Sequence, residues 1–196
     1  MTLGHVTHAA QAGVHVLRYF GTVNYTLAPG LQQFLQHLIG EDHASGLVFD
    51  LSAADSLDST NLGLMARANE QMRETGAANS VIISGNEDID GVLRSMGFDQ
   101  TFDLLPADAQ LHGGNSQANT AQANAAQAIA TEAIATEATA EAIATEAMAA
   151  TRAPSAAELQ RTMLEAHRAL MRLSEAGRLE FEPVVACLER DVCARA

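Results

Sequence analysis

GLVFDLSAADSLDSTNLGLMARA, residues Gly46–Ala68, decides the fold. Its first part, Gly46–Ser52, is a short apolar run after a polar loop, the pattern of a strand buried on both faces. Its second part opens a helix over about Ser59–Thr75, which ends before Gly76. A buried strand that turns at once into a helix predicts a crossover unit, and hence a parallel partner strand. The junction between them is unusually rich in hydroxyls: Ser56, Ser59 and Thr60 stand among Asp55 and Asp58. One such residue is enough to cap a helix. Asp58 or Ser59 can accept from the free N–H groups of the first turn, which leaves the remaining hydroxyls without a structural duty.

Working outward, the same alternation continues on both sides. Val14–Phe20 is strand-like, and His5–Ala9 can pair with it across the Gly13 turn. Leu27, Leu31, Phe34, Leu35, Leu38 and Ile39 recur at helical spacing, with Pro29 in the first turn where it is tolerated. Ser80–Gly85 is a second buried strand. Ile89, Val92, Leu93 and Met96 share one face of a following helix that stops at Gly97, and Thr101–Leu105 fits an edge strand. The expected fold class is α/β, a mixed, largely parallel sheet flanked by helices.

Composition changes near residue 110. From 112 to 154 the chain is nearly all Ala, Thr, Glu, Gln and Asn, with AIATE at Ala128–Glu132, Ala133–Glu137 and Ala142–Glu146. A five-residue step advances a helix by about 500°, so the Ile residues form no continuous stripe. This segment reads as a low-complexity linker, and shortening it is expected to leave folding intact. Beyond Pro154, Ser155 and Glu158 have the spacing of a capping box. Leu159, Met163, Ala166, Leu170 and Leu173 form an apolar stripe, Gly177 fits a stop, and Pro183–Val192 predicts a second short helix. The expected organisation is a domain over 1–111, a linker over 112–154 and an amphipathic helical pair over 155–196. The two halves are separately patterned, so the pair is expected to serve a partner or self-association rather than the core of the first domain.

The charge excludes several functions. The net charge is −13, and all eleven cations are Arg. Such a surface repels phosphate backbones and anionic lipid, so neither direct nucleic-acid binding nor membrane attachment is expected. No apolar run reaches the roughly 18 residues that span a bilayer, and the N-terminus lacks the basic and apolar regions of a signal peptide. A cytoplasmic location follows as an expectation. Cys187 and Cys193 are expected to be free thiols. The seven His are scattered, with no metal-ligand spacing, and neither a phosphate-binding Gly loop nor a nucleophile elbow occurs. No catalytic residue, metal or cofactor is therefore assigned. What remains is Leu57–Gly63, where a phosphate would meet the positive end of a helix and a single hydroxyl could toggle binding.

FDLSAADSLDSTNLGLMARA resembles the signature of the STAS domain, the family of sulphate transporters and anti-sigma factor antagonists. In that family an apolar strand leads through an Asp-Ser-Ser-Gly-Leu-Gly-like turn into a helix. The resemblance covers about residues 5–108 and includes RYFGTVN and GVLRSMGFDQTFDLL. The DSTNLG turn and the NEDIDGVLRSMGFDQTF end are most similar to single-domain bacterial anti-sigma factor antagonists. The resemblance implies a STAS-like fold and a non-enzymatic protein. It also implies partners: an anti-sigma factor serine kinase that phosphorylates this turn, and a PP2C-type phosphatase that reverses it. The unmodified form would bind the anti-sigma factor and release its sigma factor. Alignment places the acceptor at Thr60, while the serine preference of such kinases favours Ser59, because Asn61 replaces the usual Gly. Asp58 would orient or cap, and Asn61, Leu62, Gly63 and Met65 would complete the switch and partner contact. The alternative is a STAS module acting as a non-phosphorylated subunit of a transport or stress-sensing complex.

Overall fold

The computed structural model describes residues 4–107 and 154–194. Five strands form one sheet in the order β1-β2-β3-β4-β5, where β1 is His5–Gln11, β2 Val14–Val23, β3 Gly46–Leu57, β4 Val81–Ser84 and β5 Asp103–Pro106. β1 and β2 are an antiparallel hairpin, and every later pairing is parallel. The expected mixed, largely parallel sheet is the one observed. The hairpin turns on Ala12 and Gly13, both at positive φ (51° and 80°). A two-residue turn with that backbone matches the twist of the strands it joins.

Three helices connect the parallel strands: α1 (Ala28–Gly40), α2 (Ser59–Glu74) and α3 (Glu87–Ser95). The side-chain period of two assigns each strand residue to a face. Leu17, Phe49 and Ile82, aligned across β2, β3 and β4, join Leu31, Leu35 and Leu38 of α1, Leu64 and Met65 of α2 and Leu93 of α3 in one core. On the opposite face Val16, Val48 and Val81 align in a ladder and form a second, smaller cluster with Ile83. Asp50 lies in that strand face too. It is buried, pairs with Arg18 at 3.4 Å and accepts from the Ser52 N–H at 2.9 Å.

β3 is longer than its apolar run. It continues from Ser52 to Leu57, where polar residues interrupt the apolar run and only Ala54 is buried, because β2 goes on supplying backbone partners as far as Val23 opposite Leu57. The pairing there absorbs two register irregularities, so backbone bonds to β2 carry the end of the strand, with Ala54 buried in the core and Leu57 packed against it. That extension carries the chain to Asp58.

After residue 107 the description resumes at 154, and the expected linker over 112–154 lies, but for Pro154, outside the described residues. α4 (Ala156–Leu173) and α5 (Glu175–Ala194) form a helical hairpin. Ser155 caps α4 in a reciprocal box with Glu158, as its spacing predicts. The break between the helices is not at Gly177. It is at Ser174, which is extended and whose Oγ accepts from the Gly177 N–H at 3.0 Å. Gly177 sits inside α5, where an added Cβ would stand 2.5 Å from the Leu170 carbonyl oxygen; its smallness permits close helix packing rather than a stop. α5 also runs through Pro183 instead of beginning there.

The expectation that the hairpin serves a separate partner or self-association is corrected. Ala166, Ala169, Leu170 and Phe181 are buried in the same core cluster as the sheet and α1–α3. The buried set of α4 is Thr162, Leu164, Ala166, His167, Ala169 and Leu170; Ala166 and Leu170 of the expected stripe are among them, whereas Leu159, Met163 and Leu173 are only half-buried. Small and polar residues therefore make much of the contact.

Candidate functional site at the head of helix α2

The strand extension ends at Asp58, whose N–H donates to the Val23 carbonyl across the β2–β3 pair. Asp58 is the N-cap of α2. Its Oδ1 accepts from the Asn61 backbone N–H at 2.9 Å and from Asn61 Nδ2 at 2.9 Å. The double acceptance fixes both the first turn and the Asn61 side chain, which is fully buried. This explains how Asn61 replaces a glycine without loosening the turn: its amide becomes part of the cap. Its Oδ1 remains buried without a partner among the described residues.

The two hydroxyls separate by one helical step. Thr60 is 2 % exposed. Ser59 is half-buried, and its Oγ lies 2.9 Å from Nε2 of His167 on α4. His167 Nδ1 lies 2.7 Å from the Met163 carbonyl oxygen. A carbonyl only accepts, so Nδ1 carries a proton, and in the neutral ring Nε2 is the acceptor for the Ser59 O–H. A serine hydroxyl aimed at an imidazole is half of a nucleophile–base pair. Here the ring's far nitrogen meets a backbone carbonyl rather than a carboxylate, and the ring is buried against Phe181, with centroids 5.4 Å apart. The pair reads as a contact between helices.

Of the other residues singled out by sequence, Leu62 and Met65 belong to the main core, while Gly63 lies against α4. A Cβ built on Gly63 would stand 2.3 Å from the Ala166 carbonyl oxygen and 2.8 Å from its Cα. The two helix backbones therefore touch, which only glycine allows. Around this crossing lie polar contacts that sequence reasoning did not find. Glu165 accepts from Arg67 and, at 2.7 Å, from Gln32. Arg172 grips Glu70 with two bonds, at 2.8 and 2.6 Å. At the hairpin's tip Ser174 Oγ donates to the Met96 carbonyl at 2.8 Å. A signal for the crossing did exist. Gly63 and Ala66 are small and three apart on α2, as are Ala166 and Ala169 on α4, the spacing at which helix backbones approach closely.

Among the described residues no helix is long and apolar enough to cross a membrane, and no group of three or more His, Cys, Asp and Glu is placed to hold a metal ion.

The description of the STAS domain family matches residues 6–112, more than half of the 196. No curated protein matches the chain. Among solved structures, an anti-sigma factor antagonist from Mycobacterium paratuberculosis is similar at 24 % identity, covering 61 % of this chain and 92 % of its own, with a TM-score of 0.47. The Bacillus cell fate determinant SpoIIAA in its phosphorylated form is similar at 9 % identity, covering 61 % and 99 %, with a TM-score of 0.46.

Proposed function

The chain belongs to the STAS domain family, and on that premise we propose that it is an anti-sigma factor antagonist whose binding to an anti-sigma factor serine kinase is switched by phosphorylation at the head of α2. Ser59 is the acceptor in this reading, and a PP2C-type phosphatase restores the free hydroxyl. One observation carries the choice. Of the two adjacent hydroxyls in the family-like turn, Thr60 is buried, and Ser59 lies at the edge of the helix, where another helix already reaches it.

The chemistry of the switch follows from the position. Unmodified Ser59 presents a neutral donor beside a glycine, so a partner helix can approach the backbone of α2 closely. A phosphoryl group there adds close to two negative charges and three acceptor oxygens. The positive end of α2 stabilises part of that charge, while the neighbouring Asp58 carboxylate and a surface of net charge −13 oppose it. A partner that buries this point must then desolvate a dianion, which costs far more than burying a hydroxyl.

The test uses the full chain against anti-sigma factor kinases of the source organism, each purified. Ser59→Ala should bind, and Ser59→Asp should bind weaker by roughly tenfold or more, the equivalent of 1.4 kcal/mol. Equal affinity of the two variants for every kinase that binds would overturn the reading.

A further inference from the structure

The face of α2 assigned above to the partner is already covered by another part of the chain. α4 puts His167 on Ser59, Ala166 on Gly63 and Glu165 on Arg67. We propose that α4 is an in-cis occupant of the partner-binding face, and that the α4–α5 hairpin lifts off α2 before a partner helix docks. The inference rests on the reading of the α2 head as the partner-binding face.

Three observations support displacement rather than a permanent core role. The STAS match ends at residue 112, and the strands and helices α1–α3 that close the sheet layer all precede it. Removing the hairpin breaks no strand pairing and no crossover. Secondly, the contact is built like an interface between proteins. The hairpin adds only Ala166, Ala169, Leu170 and Phe181 to the main core cluster, and the rim of the contact holds the Glu165–Arg67–Gln32 and Arg172–Glu70 contacts. Residues 107–155 separate the hairpin from β5, so its docking is an intramolecular event in which tethering substitutes for affinity. Thirdly, the docked contact uses the hydroxyl that modification would consume. Ser59 Oγ is 2.9 Å from His167 Nε2, and a phosphoryl group on that oxygen would remove the proton the imidazole accepts and add bulk and charge beside it.

The same contacts define the partner. It should be a helix with a small side chain opposite Gly63, a carboxylate for Arg67 and Gln32, and a cation for Glu70. Phosphorylation then acts twice, repelling the partner and holding off the hairpin.

Hydrogen exchange on the unmodified full chain provides the first test. α4 and α5 should exchange together and at least about tenfold faster than β3 and β4, because they open without global unfolding. Exchange of α4 only with β3 and β4 would make the hairpin an inseparable part of the core and overturn the proposal. The second test is Arg172→Glu, which sets a carboxylate against Glu70 on an exposed rim; Ala166→Leu, which overfills a fully buried position of α4, repeats it from the buried centre. Either variant that speeds α4 exchange while β3 and β4 keep their protection should bind its anti-sigma factor kinase about tenfold tighter than the unmodified chain. Unchanged or weaker binding by such a variant, with the kinase still binding the unmodified chain, overturns the masking and leaves the anti-sigma reading standing. If no kinase of the source organism binds the chain or any variant, the anti-sigma reading itself fails, and the competition with it.

Discussion

Gly63→Ala sets two known effects against each other at one atom. In an exposed helix the change stabilises, because glycine is worth about 1 kcal/mol less than alanine in a helix interior. Here the new Cβ would stand 2.3 Å from the Ala166 carbonyl oxygen, 2.5 Å from its carbon and 2.8 Å from its Cα. All three are backbone atoms, so no side-chain rotation relieves the contact and α4 itself must move. Forced overpacking of this kind typically costs about 1–3 kcal/mol. The hairpin, however, can leave without dismantling the sheet. The expected result is therefore a split: docking weakens by the overpacking cost alone, about 1–3 kcal/mol or roughly 5- to 150-fold, while the sheet with α1–α3 keeps or slightly gains stability. Hydrogen exchange read segment by segment, alongside urea unfolding followed by circular dichroism, separates the two. A rise in global stability with α4 protection unchanged would refute the close helix approach and the role assigned to Gly63.

Further expectations follow from other contacts. Asn69 is buried in α2, accepts from the Ser80 N–H at 2.8 Å and donates to the Thr101 carbonyl at 2.9 Å; Asn69→Ala strands both groups and should cost about 2–4 kcal/mol in urea unfolding. His8 Nε2 lies 3.0 Å from His15 Nδ1, and burial, aided by the neighbouring His15, pulls the His8 pKa down to about 4; burial lowers that of His15 too. A folded-state pKa below that of the unfolded chain means the unfolded chain binds the proton first, so this contribution is complete above pH 6.5 and lost as pH falls toward 4, by up to about 3 kcal/mol for His8. His8→Gln should flatten stability between those pH values, and an unchanged slope in acid titration of unfolding would contradict it. Asp58→Ala removes the cap of α2 and should cost about 0.5–2 kcal/mol, with exchange rising first at Asn61 and Leu62.

The elements with continuous apolar faces were legible in the sequence, and those held by backbone contacts were not. Phe49 and Ile82 announce buried strands, and Gly13, Gly76 and Gly97, all at positive φ, mark the turns where they were expected. The sequence reading ends β3 at Ser52, since the continuous apolar run stops there, and beyond Asp50 only β2 supplies strand partners. The hairpin's docking face was legible in part. Of the expected stripe, Ala166 and Leu170 are buried, whereas Leu159, Met163 and Leu173 are only half-buried; contact at Gly63 demands small residues, so Ala169 points inward too, and hydrophobicity does not pick it out. Pro183 suggested a helix start, but α5 carries it on an exposed stretch where a missing N–H is tolerable. The head of α2 was legible as a cluster of hydroxyls beside an aspartate. That His167 would cover Ser59 was not, because 108 residues separate them.

The central claim is that Ser59 carries a reversible phosphate. Intact-mass analysis with peptide mapping of the full chain, isolated from its native host under several growth conditions, tests it most directly. The account predicts a phosphorylated fraction that varies with condition, maps to Ser59 and disappears on treatment with a PP2C-type phosphatase. Modification confined to Thr60 would move the acceptor by one residue and contradict the geometry argued for Ser59; a chain unmodified at both positions under every condition would contradict the switch itself.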